Sequence, residues 1–219
     1  ERAHQAVMVD RLRTDHHSIV VDAARIGAGF SEVVRWAERP LLRTAPVPLL
    51  DLAGLVRAQG IKVVLTGEGA DEVFGGYDIF KEAKVRRFWA RQPASTARAA
   101  LLTRLYPYLR SSPVGNAVMA AGFYGQRLTE TGDPFYAHRP RWATTARLRT
   151  FLSPAAKAHC DAGEIEPALA ALLPADFGRW EGLARDQYVE VQTLLMGYLL
   201  SSQGDRVAMA NSIEGRFPY

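Results

Sequence analysis

The sequence predicts an α/β fold in which a parallel sheet is followed by a largely helical C-terminal part. Two short β-branched runs, at residues 19–21 and 61–65, have the composition of buried strands. A helical pattern from about residue 48 lies between them, so the three segments are predicted to form a βαβ unit with a right-handed crossover. Beyond residue 77 no further strand is evident, and apolar residues recur at helical spacing.

The other elements follow from local signals. Helices are predicted where apolar spacing and start or stop residues agree, and a loop where turn residues cluster. The predicted helices cover residues 3–12, 30–38, 79–91, 95–105 and 184–200, and the predicted loop covers residues 107–116. The helix that Pro46 and Pro48 introduce ends at Gly60. Two strands do not make a stable sheet of this class, so the sheet is expected to be incomplete in this chain.

Composition is that of an ordinary globular protein. Of the 219 residues, 48% are hydrophobic and 23% charged, and the net charge is +4. This mild basic excess suits an anionic small molecule as readily as a nucleic acid. Arginines cluster in two helical regions, residues 86–104 and 139–149, without a recognition motif for nucleic acid. A solvated face or a partner contact is therefore preferred, and no nucleic-acid partner is expected.

The cysteine count and the N-terminal residues bear on location. Cys160 is the only cysteine, which excludes an intramolecular disulfide and fits a reducing cytoplasm. Residues 1–13 mix charges without an apolar signal region, and no apolar stretch is long enough to span a bilayer. We expect a cytoplasmic protein without a membrane partner.

The clearest chemistry lies in residues 63–77, Val-Val-Leu-Thr-Gly-Glu-Gly-Ala-Asp-Glu-Val-Phe-Gly-Gly-Tyr. A predicted strand ends there in a glycine-rich turn, and a helix is predicted from Ala70. Glu68, Asp71 and Glu72 stand at i, i+3 and i+4, so they are predicted to project from one face of the helix entrance. Open α/β sheets bind ligands at the carboxyl ends of their strands.

Three acids at that place bear on the kind of ligand. A helix N-terminus attracts phosphate, but clustered carboxylates would repel a bare phosphate. Mg²⁺ reverses this, because it prefers one or two carboxylates together with phosphate oxygens. The cluster suits a magnesium-nucleotide or pyrophosphate site with one acid left as a proton acceptor. Acids that only complement a helix dipole give the same pattern, so both interpretations stay open.

A second informative stretch closes the chain, residues 204–219, Gly-Asp-Arg-Val-Ala-Met-Ala-Asn-Ser-Ile-Glu-Gly-Arg-Phe-Pro-Tyr. Its acids and arginines surround a run of small residues and could hold an amino-acid-like or nucleotide ligand through charge-assisted hydrogen bonds. Surface ion pairs would look the same, so this stretch alone is ambiguous.

Together, residues 65–77 and 204–219 resemble the synthetase domain of glutamine-hydrolysing asparagine synthetases, in the family's order and at about its separation. The helical residues 80–89 resemble the bacterial branch. The resemblance implies an adenine-nucleotide α-hydrolase-like fold, the PP-loop ATP pyrophosphatase fold. It also implies that residues 1–92 form an α/β nucleotide-binding part and residues 93–219 a mainly helical part.

The resemblance further implies an activity. ATP would adenylate the side-chain carboxylate of aspartate, and ammonia would attack to release asparagine and AMP. The ammonia would come from glutamine through a glutaminase domain that this chain lacks. Aspartate, ATP and ammonia or glutamine are thus the expected small-molecule partners, and a homodimer is left open.

Carried over position by position, Thr66 and Gly67 would line the nucleotide site, and Asp71 would help bind magnesium and pyrophosphate. Glu68 would be the general base that takes a proton during amide formation. Glu72 lies inside the motif without an assigned role. The resemblance places four residues of the second stretch on the substrate side: Asp205, Arg206, Glu214 and Arg216.

The chain departs from the family pattern in three ways. Residue 1 is Glu1 where family members begin with a cysteine nucleophile, and no Ser-Gly-Gly-x-Asp-Ser pyrophosphate loop is present. The chain also stops at Tyr219, before the family's catalytic lysine. We therefore expect an internal fragment of a longer synthetase that by itself has no measurable ATP-dependent amidation.

Two alternatives remain. A related amidotransferase or cyclase, such as a β-lactam synthetase or a lasso-peptide cyclase, would adenylate a different carboxylate. An acid at Glu68 favours ammonia as the nucleophile, because β-lactam synthetases resemble this motif with a tyrosine there. Outside enzymes, the chain would be a non-catalytic interaction module with the basic helical faces as contact surfaces.

Overall fold

Helices and one small parallel sheet make up the regular structure of the chain. A computed structural model describes residues 2–108, 116–161 and 165–219. The strands are β1 (Val63–Leu65) and β2 (Glu214–Arg216). The α-helices are α1 (Arg2–Leu12), α2 (Ala23–Ala37), α3 (Pro46–Ala58), α4 (Ala70–Phe74), α5 (Asp78–Ala90), α6 (Thr96–Ala99), α7 (Ala117–Tyr124), α8 (Arg139–Ala146), α9 (Pro154–Asp161), α10 (Ile165–Ala170), α11 (Gly182–Glu190) and α12 (Arg206–Met209). Short 3₁₀ segments are Ala100–Arg104, Arg147–Phe151 and Phe177–Arg179, and Val191–Asp205 is π-helical.

The chain divides into two compact units. The first unit comprises residues 1–68 and 194–219, and the second unit comprises residues 69–193. These units group residues by packing, whereas the predicted division at residue 92 separates types of secondary structure. That predicted division stays a prediction.

An aliphatic core holds the helices of the first unit together. Helices α2, α3 and α12 contact one another and bury Val33, Val47, Leu50 and Val207. Helix α2 begins where the Asp22 carboxylate accepts a hydrogen bond from the Arg25 amide at 2.7 Å, as N-cap residues do. It thus starts earlier than the predicted residue 30.

The sheet differs from the predicted βαβ unit. β1 pairs in parallel with β2, with Val63 opposite Glu214 and Leu65 opposite Arg216. The predictions of a strand at residues 19–21 and of no strand beyond residue 77 were therefore wrong. Ile19 and Val20 are exposed and have no strand beside them, and a β-branched run needs a partner to become a strand.

Buried aromatic residues and ion pairs characterise the second unit. One cluster contains Trp89, Leu102 and Tyr124, and another contains Phe135, Phe177 and Val189. The expected basic face is not one surface, because Arg86 is only 1% exposed and Arg87 pairs with Asp186. A long charged side chain can be buried only when its donors find partners, so these arginines are structural.

Most predicted helices are confirmed. The structure has helices at the predicted residues 3–12 and 79–91, and helical turns cover residues 96–104. The long helix predicted at residues 184–200 is α-helical up to Glu190 and π-helical from Val191. Within the predicted loop, residues 109–115 lie outside the described residues. None of the described helices combines the length and apolar character that crossing a bilayer requires.

Candidate functional site

The two informative stretches meet in the first unit through the sheet. Beyond the paired residues of β1 and β2, the Thr66 amide donates to the Arg216 carbonyl oxygen at 3.0 Å, and the Glu214 amide donates to the Lys62 carbonyl oxygen at 2.8 Å. Residues 66–68 therefore leave the carboxyl end of β1 beside Arg216. The paired residues, such as Val63 and Glu214, are 151 positions apart in sequence and share one edge of the sheet.

The turn after β1 presents Glu68. The Glu68 amide donates to the Thr66 hydroxyl oxygen at 3.4 Å, a local bond typical of Thr in turns. Thr66 and Glu68 are half-buried and Gly67 is exposed. The predicted nucleotide-lining residues and the predicted base thus lie on one short turn at the carboxyl end of β1, the end at which open α/β sheets generally bind ligands.

Asp71 belongs to the second unit, on the short helix α4. Its side chain is exposed and lies over Gly76, where a Cβ atom would stand only 2.0 Å from Asp71 Oδ1. Among the salt bridges between described residues, none involves Asp71. The carboxylate is therefore available to a cation from outside the chain.

The predicted common face of three acids is wrong. Gly69 has φ 93 at the start of α4, so the helical register begins after Glu68 and that residue is not on the helix. Asp71 is exposed whereas Glu72 is only 1% exposed. Two neighbouring acids on α4 thus point into different environments.

Glu72 is a buried acid. Neither of its carboxylate oxygens meets hydrogen-bond geometry with a partner in the described part of the chain. Desolvation raises the pKa of Glu72 above its ordinary value, which its own backbone amide and Tyr77 oppose and nearby Glu190 reinforces. An acid in such a site favours the neutral form and does not fit Mg²⁺, which binds ionised carboxylates.

The residues predicted for the substrate side lie in the first unit and largely pair with other side chains. Arg206 pairs with Glu38, and Arg216 Nε donates to Glu214 Oε1 at 2.8 Å. Asp205 is exposed, and its Oδ1 is 3.7 Å from the position of a Cβ on Gly215. The second stretch therefore gathers charges of both signs around β2.

Sequence reasoning missed three residues of α11 that contact the surroundings of α4. Gln187 donates to two carbonyl oxygens of α4, Asp186 binds Arg87, and Glu190 Oε2 lies 2.6 Å from His138 Nε2. The sequence signal for these residues is their position: Asp186, Gln187 and Glu190 are polar residues at i, i+1 and i+4. They belong to a helix that apolar spacing predicts to face the core.

The described residues contain no group of three or more His, Cys, Asp or Glu side chains that could hold a metal ion. A protein-only metal cage is thus not formed by the described part of this chain. Mg²⁺ commonly takes only one or two carboxylates beside phosphate oxygens and water, and the exposed Asp71 fits one such position.

Comparisons with known proteins agree with the resemblance. The model of the asparagine synthase family matches residues 1–219. A protein of Mycobacterium tuberculosis H37Rv, provisionally named asparagine synthetase [glutamine-hydrolyzing], is 32% identical over 213 residues, which are 93% of this chain and 29% of that protein. Asparagine synthetase [glutamine-hydrolyzing] 1 of Bacillus subtilis is 26% identical over 190 residues, which are 86% of this chain and 27% of that protein.

A relative with a different name also matches. Amidase chyE of Penicillium rubens is 27% identical over 219 residues, which are 95% of this chain and 31% of that protein. No solved structure gives a significant match to the chain.

The chain spans about three-tenths of the length of these relatives. Because the family model covers all of its residues, the predicted resemblance is confirmed, and the chain belongs to the asparagine synthase family.

Proposed function

We propose that the intact protein containing this chain is an ATP-dependent ligase that converts aspartate to asparagine through an aspartyl-adenylate. The pairing of β1 with β2 carries the proposal, because it sets residues 66–68 beside Arg216 at the carboxyl edge of a parallel sheet. Membership of the asparagine synthase family supports the same reaction class. The enzyme would act in amino-acid biosynthesis, in the cytoplasm, on small molecules.

Nucleotide binding is assigned to the turn after β1. Gly67 is exposed and has no side chain, so a nucleotide can approach the backbone there. The Thr66 hydroxyl lies in the same turn, where it accepts a hydrogen bond from the Glu68 amide. In this proposal residues 1–92 form the nucleotide-binding part of a PP-loop pyrophosphatase fold, and residues 93–219 the mainly helical part.

Asp71 is assigned to magnesium that enters with ATP. Its exposed, unpaired carboxylate would supply one ligand, and phosphate oxygens and water would supply the others. Bound in this way, the ion would offset the negative charge of the pyrophosphate leaving group. Glu72 is excluded from this role by its burial.

The reaction would proceed in two displacements. A side-chain carboxylate oxygen of aspartate attacks the α-phosphorus of ATP, and the bond from that phosphorus to the bridging oxygen breaks to release pyrophosphate. Ammonia nitrogen then attacks the acyl carbon, the bond from that carbon to the AMP oxygen breaks, and Glu68 accepts a proton from the nitrogen. Glutamine is the proposed source of ammonia, through a separate domain.

The charged residues of the second stretch are assigned to aspartate. Aspartate carries one ammonium and two carboxylates, so acids and arginines around β2 complement both signs through charge-assisted hydrogen bonds. The four residues proposed for this contact are Asp205, Arg206, Glu214 and Arg216.

A second candidate is a related enzyme that adenylates another carboxylate. The observation in its favour is the match to a fungal protein named amidase over 95% of this chain. A carboxylate at Glu68 still favours ammonia as the nucleophile in that case.

The test uses the purified intact protein with ATP, aspartate and ammonium, and quantifies asparagine and AMP by mass spectrometry. Glu68→Gln is expected to lower asparagine formation by about 100-fold or more, with magnesium-ATP binding unchanged in a thermal-shift titration. Glu32→Gln, the same change at an exposed position on α2, serves as the control. An unchanged yield in Glu68→Gln would refute the role of Glu68, and AMP formation only with another acid would select the second candidate.

A further inference from the structure

Helix α4, which carries Asp71, is too short to be stable by itself. It has five residues, Ala70–Phe74, between Gly69 with φ 93 and Gly75 with φ 68. Isolated helices of this length are not stable in water, and both flanking conformations are ones that residues other than glycine rarely adopt. The position of Asp71 therefore depends on what holds α4.

Gln187 of α11 contacts the carbonyl end of α4. Its Nε2 atom donates to the Glu72 carbonyl oxygen at 2.7 Å and to the Val73 carbonyl oxygen at 2.8 Å. The last carbonyls of a helix have no partner inside the helix, and one side-chain amide has two N–H groups. Gln187 thus fills two acceptors that the helix itself cannot satisfy.

Helix α11, which carries Gln187, is itself held in place. The neighbouring Asp186 accepts two hydrogen bonds from Arg87 of α5, at 2.6 and 2.7 Å, and its side chain is only 2% exposed. A bidentate pair of this kind restrains both partners. The buried side chain of Glu72 adds a second restraint, so α4 is held within the second unit by the Gln187 side chain, which donates to its carbonyl oxygens, and by burial.

We propose that Gln187 is a positioning residue that holds α4 by its carbonyl end and thereby sets the Asp71 carboxylate for the magnesium and pyrophosphate of ATP. This inference rests on the proposed role of Asp71. It goes beyond that role by naming a residue that touches neither ligand and acts only through α4.

The test compares Gln187→Met with the unchanged intact protein. Methionine has nearly the same length and shape but no donor, so it removes both hydrogen bonds without removing the side chain. Hydrogen exchange is expected to be about tenfold faster at the Val73 and Gly76 amides, which bond to the Gly69 and Asp71 carbonyls. The Kd for magnesium-ATP is expected to rise about tenfold, while the Kd for aspartate is unchanged.

Two further variants define the effect. Tyr188→Phe removes a side-chain bond from the adjacent residue to the Leu172 carbonyl, which is not part of α4, and is expected to match the unchanged protein in both measurements. Gln187→Lys restores donors, and a cation near helix carbonyls is favourable, so it is expected to recover at least half of the lost protection from exchange.

The outcomes separate this proposal from the proposed function. If magnesium-ATP binds but no asparagine forms, the proposed function fails, and the exchange and Kd values still decide the role of Gln187. If exchange and both Kd values in Gln187→Met equal those of the unchanged protein, the positioning role is overturned. Faster exchange with an unchanged Kd for magnesium-ATP also overturns it, because Gln187 would then be structural only.

Discussion

Different interactions stabilise the interior of each of the two units. The first unit buries an aliphatic cluster of Val33, Val47, Leu50 and Val207. In the described part of the chain, all buried Glu, Asp, Arg and His side chains belong to the second unit: Glu72, Glu82, Arg86, His138, Asp186 and Glu190. Aliphatic packing therefore stabilises the first unit, whereas the second unit combines aromatic clusters with buried charged side chains.

This difference bears separately on Glu68 in the first unit and on Asp71 in the second unit. Glu68 lies in the turn that follows β1, and backbone hydrogen bonds hold β1 in a two-stranded sheet. Asp71 sits on a helix tied to side chains of the second unit. Substitutions of charged residues should therefore affect the surroundings of Asp71, and large-to-small substitutions should mainly affect the unit that carries Glu68.

The largest effect is expected at Arg86. Its guanidinium donates to the carbonyl oxygens of Tyr124, Tyr136 and Gln126 at 2.8, 2.7 and 2.9 Å. Arg86→Met leaves three acceptors without a donor, and we expect a loss of about 4 kcal/mol in the free energy of unfolding. Urea denaturation measures it, with Arg98→Met, which breaks one bond to the Phe88 carbonyl, as the control. Equal losses in the two variants would show that the buried Arg86 contributes no more to the free energy of unfolding than Arg98 does.

The corresponding change in the first unit removes volume. Leu50→Ala is expected to lower the free energy of unfolding by about 3 kcal/mol, because it leaves a cavity in the aliphatic core. Leu52→Ala on the same helix should cost about 0.5 kcal/mol, since Leu52 is 41% exposed and Leu50 only 7%. Chemical denaturation of both variants checks the difference. Similar midpoints would show that Leu50 contributes no more to stability than Leu52 and would contradict the burial of the Leu50 face of α3.

A pH-dependent effect is expected at Asp133 in the second unit. Burial raises the pKa of its carboxyl group, but hydrogen bonds from Arg139 and from the Phe135 amide outweigh this and leave the pKa below its ordinary value. Those bonds measure 2.7 and 2.9 Å. The stabilisation is fully present above the pKa of an unfolded aspartate, about 3.9, and is lost as pH falls through the lower folded value.

Asp133→Asn should therefore lower the free energy of unfolding by about 2 kcal/mol at neutral pH and by progressively less towards pH 2. Thermal unfolding across that range measures the change, with the exposed Asp176→Asn as the control. A difference that is independent of pH would contradict the ion pair as its cause.

The smallest effect is expected at Gly75. Its φ of 68 strains an alanine, so Gly75→Ala should cost about 1 kcal/mol. Gly178→Ala should cost less than that, because no atom lies within 4 Å of its added Cβ and its φ is not positive. Equal melting temperatures for the two variants would show that α4 tolerates a different C-terminal turn.

The sequence allowed the local elements and the family to be predicted. Proline and glycine punctuation located α3, and apolar spacing located α5 and α11. The resemblance of residues 65–77 and 204–219 anticipated the family that the comparisons show. These signals are local in sequence, so they do not depend on the partner of each segment.

The partners themselves could not be predicted. β1 pairs with β2, 151 positions further along the chain, and the three residues of β2 have too little apolar patterning to predict a strand. The burial of Glu72 next to the exposed Asp71 follows from Gly69 and from α11, neither of which the i, i+3, i+4 spacing of acids reports. Contacts between residues distant in sequence therefore determine the strand pairing and the burial of Glu72, which the spacing of residues along the chain does not report.

The most direct test follows oxygen from aspartate through the reaction of the intact protein. Aspartate labelled with ¹⁸O in its side-chain carboxylate is supplied with ATP and ammonium, and the products are analysed by mass spectrometry. Adenylation predicts one ¹⁸O atom in AMP and one in asparagine. Label in inorganic phosphate with ADP as the product, or unlabelled AMP, would contradict the proposed aspartyl-adenylate.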